Sequence, residues 1–344
     1  MDLITNQKEL GTRGKVFLIA YNGLWVVDVT SIFMCFEISS VETFIFSVVS
    51  KLLSFVAWWT VYRKRLLIQN SVGRITFVSN TITTRVRCCS GIILRLCVGF
   101  LILIICLPSV YALLEGLNKD RQTYKRSCGF LSVGSDSIYF SAMSKFFWKL
   151  LNQHLDWSIH YAVAVLFCFC CKQLGSTIRK LCSKKHYFST HRIWQRYYNI
   201  RKCLKEIEER YSFLVFVFIG RSFVEFFRVL TFIFNKDAVH VDFVFSVITC
   251  AYSLVILIVF ISVVMSASHL LSDYRTLCER MIELPRDLYY SEEDFEASKL
   301  FMKLLDDKDT MTLTGWGLFQ LKKNLFLTAA ATLVSYGVLL LQFH

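Results

Sequence analysis

Three ionisable residues, Arg221, Glu225 and Arg228, lie four and three positions apart inside a long apolar stretch of this 344-residue chain. That spacing places them on one side of a helix, where the carboxylate of Glu225 can pair with both guanidinium groups. Charged groups at membrane depth are costly and are usually paired, which favours an ion-pair ladder that completes a helix bundle. Direct contact with a small polar ligand is the alternative role for the same residues.

Polar and aromatic residues in other apolar stretches are further candidates for holding a small molecule. Trp157 and His160 stand three positions apart on one helical face. An aromatic ring beside a hydrogen-bonding group can hold a small amphipathic ligand; an interfacial tryptophan and a histidine satisfied within the bundle are the structural alternative. The full set of candidate ligand-binding residues is Tyr111, Trp157, His160, Glu225, Arg228 and Asp242.

The sequence lacks the patterns typical of an enzyme. It shows no nucleophile beside a base, no paired catalytic carboxylates and no glycine-rich phosphate loop. Cys168, Cys170 and Cys171 form a dense group of thiols, but they lack further ligands at metal-binding spacing. Two roles remain open for these cysteines: they are buried small residues of the core, or they are palmitoylated beside a basic segment. We therefore predict no enzymatic activity, no metal and no cofactor.

The elements that must position these residues are apolar blocks of roughly twenty residues, long enough to cross about 30 Å of hydrocarbon. With 55% hydrophobic residues and only 2 prolines, the chain favours long uninterrupted helices. The expected fold class is an all-α, multi-pass plasma-membrane protein with seven transmembrane helices. The predicted spans are Val16–Phe36, Glu42–Tyr62, Gly91–Leu114, Leu155–Gln173, Tyr211–Phe234, Phe243–Met265 and Asn324–Phe343.

Basic residues predict the orientation of these spans, because cytoplasmic segments carry an excess of lysine and arginine. If the N-terminus is cytoplasmic, 28 of the 39 Lys and Arg residues fall on the inner side and seven on the outer side. The N-terminus is therefore expected inside and the C-terminus outside. This topology accounts for most of the net charge of +13, so that nucleic acid is not an expected partner.

Two segments between spans are also predicted to be helical. Lys172–Arg210 is basic and is expected to extend the fourth or fifth span into the cytoplasm. Ser291–Leu305 has the apolar spacing of an amphipathic helix, which can pack against its own chain or against another subunit. The expected organisation is a ligand-binding bundle over residues 1–265, a cytoplasmic anchor region over 266–323 and a last helix over 324–344.

The last predicted span has one face of small and polar residues and an apolar remainder. Polar groups inside a membrane face either another helix or water, so that a close-packed helix contact and a pore lining both fit this face. We call it the polar stripe, and its members recur every three or four positions: Asn324, Thr328, Ala331, Ser335, Leu339 and Gln342.

The end of the chain resembles the terminal signature of insect gustatory receptors, a Thr-Tyr pair followed by five apolar residues and Gln-Phe. In the segment SYGVLLLQF, Tyr336, Gln342 and Phe343 match at the family spacing, and Ser335 stands where threonine is usual. The preceding run TGWGLFQLKKN also resembles the family's approach to its last span.

This resemblance implies a ligand-gated, non-selective cation channel that an external small-molecule tastant opens. It implies a tetramer around a pore made by four copies of the seventh span, with Gln342 and Phe343 at the outer gate. Leu339 and Ser335 would line the pore, and Tyr336 would pack behind the pore helix. The implied partners are a tastant, monovalent and divalent cations, membrane lipid, and further copies of the chain or related receptor subunits.

Two other functions remain open at this point. A non-conducting subunit, or one that conducts only with a partner receptor, would preserve the same last span. A secondary transporter is less consistent with the sequence, because transporters tend to show internal repeats and helices broken at mid-membrane.

Overall fold

The computed structural model describes residues 23, 41–82, 138–183, 190–234, 243–287 and 311–343. Helices dominate these residues, and one short β-hairpin precedes the last helix. In chain order the elements are α1 (Val41–Ile82), α2 (Ile138–Ser183), α3 (Thr190–Phe234), α4 (Phe243–Asp287), β1 (Thr314–Gly315), β2 (Phe319–Gln320) and α5 (Asn324–Phe343).

Four stretches among the described residues are long and apolar enough to cross a membrane: Phe44–Thr81, Trp157–Ser183, Cys250–Met281 and Asn324–Gln342. The predicted span in α3 is helical to its last residue, Phe234. It is not among the four, because three charged residues interrupt its apolar sequence. The first and third predicted spans lie outside the described residues, apart from Gly23.

The first four helices are far longer than a membrane crossing requires. Each has between 42 and 46 residues, which corresponds to about 65 Å at 1.5 Å per residue. The basic segment between the fourth and fifth predicted spans is helical on both sides of residues 184–189, since α2 continues to Ser183 and α3 begins at Thr190. Both helices therefore continue into this basic segment. The predicted Ser291–Leu305 helix lies outside the described residues.

The described residues fall into two compact units. One comprises those within Met1–Val56 and Leu101–Ile159, and the other comprises those within Ala57–Phe100 and His160–His344. The core of the second unit centres on α3, which contributes apolar residues at helical spacing because one face repeats every three or four positions. This strip of α3 comprises Ile200, Cys203, Leu204, Ile207, Tyr211 and Leu214.

Polar contacts join the basic parts of the helices in the second unit. Arg74 of α1 forms an ion pair with Glu206 of α3, and Arg210 donates a hydrogen bond to the Ser71 hydroxyl. Burial raises the pKa of the nearby Cys203 thiol to about 11, with the carboxylate of Glu206 adding to the shift. This thiol therefore stays protonated at neutral pH and serves as a core residue.

The hairpin before α5 is a two-residue antiparallel ladder in which Thr314 pairs with Gln320 and Gly315 with Phe319. The N–H of Leu318 donates to the carbonyl of Gly315 at 3.0 Å and closes the turn. Trp316 and Gly317 have φ values of 52° and 73°. Two central residues with positive φ are typical of the type I′ turns that match the twist of a hairpin.

We expect Gly315→Ala to destabilise the folded protein, because a methyl group at this buried position would overlap the Phe319 ring across the ladder. Overpacking of this kind costs about 1–3 kcal/mol. Thermal unfolding of the purified protein in detergent, followed by size-exclusion chromatography, measures the change. The matched control is Gly73→Ala in α1, where nothing lies within 4 Å of the added carbon. A helical alanine there should raise stability by up to about 1 kcal/mol, so equal effects of the two substitutions would contradict the packing described.

Candidate functional site

The last helix packs on α3 through one of its two faces. Its packed residues are buried or half-buried and recur at helical spacing: Leu325, Phe326, Ala329, Leu333, Tyr336, Gly337 and Leu340. Ring contacts on this face include Phe326 against Phe260 of α4 at 5.9 Å between centroids. The packed face is therefore apolar, with the Tyr336 hydroxyl as its single polar group.

The polar stripe lies on the other side of α5. All six members, Asn324, Thr328, Ala331, Ser335, Leu339 and Gln342, are exposed in the chain taken by itself. The hydroxyl groups of Thr328 and Thr332 donate to carbonyls one turn earlier, at 3.3 and 2.9 Å. Their protons are thus satisfied within the helix, and the oxygen lone pairs remain available to water or ions. Phe343 ends the helix, and its side chain lies outside the described residues.

Tyr336 of α5 packs against α3. Its ring meets Phe227 edge-on with centroids 4.6 Å apart, and its hydroxyl is 3.1 Å from that of Thr231. Aromatic pairs in this geometry contribute about 0.5–1.5 kcal/mol beyond the area they bury. This contact fixes the rotation of α5 about its own axis.

The charged residues of α3 form the ladder that their spacing predicts. Glu225 lies 2.6 Å from Arg228 and 3.8 Å from Arg221. The side chains of Arg221 and Glu225 are 2% and 3% exposed, whereas that of Arg228 is 43% exposed. The Glu225 carboxylate thus pairs with both guanidinium groups. Of these three residues, Arg228 alone is exposed enough to donate hydrogen bonds to a molecule from outside the helix bundle.

The structure adds three residues from neighbouring helices to this ladder. His160 of α2 faces the charge of Arg221. Tyr161 of α2 and Tyr252 of α4 both lie within electrostatic range of Glu225. The two tyrosines were not predicted, although a phenol hydroxyl in an otherwise apolar span is the signal that could have identified them. We refer to Arg221, Glu225, Arg228, His160, Tyr161 and Tyr252 as the polar cluster.

Three predicted ligand residues remain, Trp157, Tyr111 and Asp242. Trp157 is buried, but it belongs to the other compact unit. Tyr111 and Asp242 lie outside the described residues.

Helix α3 connects the polar cluster to α5. Arg228 of the cluster stands three positions before Thr231, which contacts Tyr336 of α5. Because the two residues are one helical turn apart, a shift or rotation of α3 at the cluster would move the surface on which α5 rests. Phe227 and Thr231 are site residues that sequence reasoning missed, since their role depends on a contact over a hundred positions away.

Comparison with known proteins gives a family and a fold. A family model described as 7tm Chemosensory receptor matches residues 29–344. The insect olfactory receptor OR5 from Machilis hrabei in complex with eugenol is similar in structure, with a TM-score of 0.61 at 13% identity over 98% of this chain and 92% of that one. A second structure of OR5 from Machilis hrabei matches with a TM-score of 0.59 at 12% identity, over the same shares of the two chains. No curated protein matches the chain.

Proposed function

The chain belongs to the 7tm chemosensory receptor family, and we propose that it is a gustatory receptor acting as a ligand-gated, non-selective cation channel. An external small-molecule tastant would open it. Membership of this family, together with the apolar helices, makes the chain a membrane protein. The terminal residues had already indicated such a family by their resemblance.

One observation carries the channel proposal, the orientation of α5. The sequence left two roles for the polar stripe, a close-packed helix contact or a pore lining. The packed face of α5 is apolar, and the polar stripe is exposed on the opposite side. A membrane helix with an exposed polar face requires partners that hold water or polar groups against it. Several copies of α5 around a common axis would meet that requirement.

In the proposed assembly, four copies surround the pore and the C-terminus of each lies outside. Gln342 and Phe343 would form the gate, because four phenylalanine rings can close a pore by excluding water and four amides can replace part of an ion's hydration. Leu339 and Ser335 would line the pore below the gate. Residues 266–323 would form the cytoplasmic anchor, and exposed polar groups of the polar cluster, Arg228 above all, would contact the ligand.

The gustatory assignment rests on the terminal signature. Tyr336, Gln342 and Phe343 keep the spacing of insect gustatory receptors. The similar solved structures are of an olfactory receptor, and at 13% identity they support the fold. The ligand class of that relative, which was solved with eugenol, suggests that a small organic molecule is a suitable first probe.

Expression of this chain alone, with currents recorded against a panel of sugars, bitter compounds and eugenol, tests the proposal. We expect Phe343→Ala to raise the current in the absence of ligand severalfold, because the hydrophobic seal is weakened. We expect Gln342→Ala to change the relative permeability to sodium, potassium and calcium. Leu327→Ala is the matched control, since Leu327 is an exposed apolar residue of α5 outside the polar stripe.

Each outcome decides between the candidate functions. Currents that neither gate substitution alters would contradict the gate assignment. If surface-expressed protein conducts only when a second receptor is co-expressed, the chain is an obligate heteromer subunit and the homotetramer is wrong. Substrate uptake without ion current would favour a transporter.

A further inference from the structure

The tip of the hairpin exposes two large apolar side chains. Trp316 is 58% exposed and Leu318 is 68% exposed. They stand a few residues before Asn324, where the last candidate span begins. An exposed tryptophan beside the end of a membrane span is typical of the membrane interface, where the indole ring lies at the depth of the lipid headgroups.

Contacts with α3 hold the tip in a strained conformation. Trp316 has a φ of 52°, which is unusual for a bulky residue. Its N–H donates to the Ser212 hydroxyl at 2.8 Å. Its ring lies against Phe213, with centroids 5.3 Å apart. Phe216 also contacts the ring, with centroids 5.5 Å apart. These contacts cover one side of the indole, and the residue as a whole is still 58% exposed to a partner from outside the chain.

The base of the hairpin is fixed to the same helix. Glu208 of α3 accepts hydrogen bonds from both the N–H and the hydroxyl of Thr314, the former at 2.9 Å. Charge-assisted bonds of this kind are roughly twice as strong as neutral ones. The tip therefore extends from a rigid support.

Two exposed lysines, Lys322 and Lys323, join the hairpin to α5. Their carbonyls accept the first N–H groups of the helix, from Leu325 at 2.9 Å and Phe326 at 3.1 Å. Positive side chains at a helix N-terminus oppose the helix dipole. The helix itself thus gains nothing from these two charges, which indicates an external negative partner.

We propose that the hairpin tip and the two lysines form a lipid-binding site, in which Trp316 and Leu318 enter the membrane interface and Lys322 and Lys323 bind an anionic phospholipid headgroup. The apolar tip, the paired positive charges and the adjacent end of a span all match this one partner. The proposed orientation puts the site at the inner leaflet, which carries most anionic lipid. Lipid bound here would brace the base of α5 against α3.

Lipid retention by the purified full-length protein tests the headgroup contact. The protein is reconstituted with phosphatidylcholine alone or with phosphatidylserine added, and bound lipid is measured by native mass spectrometry. Each basic residue near an anionic surface accounts for roughly fivefold in affinity. We therefore expect Lys322→Gln/Lys323→Gln to weaken phosphatidylserine binding about 25-fold, and Lys322→Arg/Lys323→Arg to retain it.

The matched control removes the same charge elsewhere. Lys202 and Lys205 are exposed on α3, about 15 Å and about 10 Å along the helix axis from the hairpin contact at Ser212. We expect Lys202→Gln/Lys205→Gln to leave phosphatidylserine binding unchanged. Equal losses in the two double variants, or no preference of the unmodified protein for phosphatidylserine over phosphatidylcholine, would overturn the headgroup site.

Quenching by brominated lipids tests the insertion of the tip. The fluorescence lost on Trp316→Phe is the contribution of Trp316, and we expect lipids brominated near the headgroup to quench it strongly. Absence of quenching would show that water or a second copy of the chain covers the tip, and would overturn insertion. Both measurements are independent of ion current, so that their failure leaves the proposed channel untouched and a non-conducting chain leaves the lipid site testable.

Discussion

Cysteine placed at Ser335 or Leu339 is expected to make the ligand-evoked current sensitive to a small cationic thiol reagent applied from outside. Both residues are exposed on the polar stripe of α5. In the proposed pore the thiol would face water, where a thiol ionises readily and reacts. Four attached cations would then repel permeating ions at close range. Whole-cell recording before and after reagent, with the channel held open by ligand, should show loss of most of the current.

Cysteine at Ala329 or Leu340 is the matched comparison, because both positions lie on the packed face. A thiol there would be enclosed between α5 and α3, and we expect no block. Val334 provides a third class of position, since it is exposed but lies beside the stripe; its modification should leave conduction intact. The unmodified chain, which has 13 cysteines, sets the background reactivity.

A reversed pattern would refute the proposed orientation of α5. If the reagent blocks the current of the Ala329→Cys and Leu340→Cys variants but not that of the Ser335→Cys and Leu339→Cys variants, the apolar face lines the conduction path. If modification of none of these cysteine variants reduces the current, the pore lies elsewhere and the terminal signature has another role.

The ends of α5 could be predicted from the sequence, but the direction of its faces could not. The apolar block is bounded by Lys322 and Lys323, and the helix begins at the next residue, Asn324. A helical wheel separates the two faces because the period of 3.6 residues is fixed. Which face meets α3 depends on Phe227 and Thr231, which match Tyr336 in shape and hydrogen bonding. A wheel drawn for α5 alone cannot show this match, because Phe227 and Thr231 belong to α3, about a hundred positions earlier in the sequence.

The length of α1 shows a second limit of prediction. The predicted span ended at Tyr62, because Arg63, Lys64 and Arg65 are too polar for a membrane interior. The helix nevertheless continues to Ile82. Hydropathy detects the part of a helix that lipid surrounds, whereas the polar continuation is stabilised by tertiary contacts such as the pair of Arg74 with Glu206.

The hairpin was recognisable only as a stretch resembling other receptors. Its two strands have two residues each, too few for any alternation to appear. Trp316 at positive φ runs against the preference of its residue type. Contacts with Glu208 and Ser212 stabilise this conformation, and they cannot be read from a local pattern. By contrast, the ladder on α3 followed from spacing alone, because all of its members lie on one helix.

Glu225→Gln is expected to cause a large loss of folded protein. It keeps the size of the side chain but removes the charge that Arg221 and Arg228 share, at 3.8 and 2.6 Å. Removing one partner of a buried ion pair typically lowers the free energy of unfolding by about 3–5 kcal/mol, because the remaining charge is left without compensation. The fraction of protein at the cell surface and its unfolding temperature in detergent measure the loss.

Two matched variants separate charge pairing from other causes. Glu209→Gln removes a carboxylate from the same helix, where Glu209 lies 4.0 Å from Lys205 in an exposed pair. Exposed pairs contribute about 0–1 kcal/mol, so this variant should behave like the unmodified chain. The double variant Arg221→Met/Glu225→Met removes both buried charges and should recover much of the surface expression, since apolar replacements of a buried pair are often neutral.

The same series decides between the two roles of the polar cluster. If Glu225→Gln reaches the surface normally and unfolds at the unmodified temperature, the ladder does not stabilise the bundle, because a structural pair cannot be broken without cost. A variant that folds normally but needs far more ligand for half-maximal current would assign Glu225 to ligand contact. Recovery of surface expression together with ligand response in the double variant would instead show that the charges serve the fold and that ligand binding lies with other residues of the cluster.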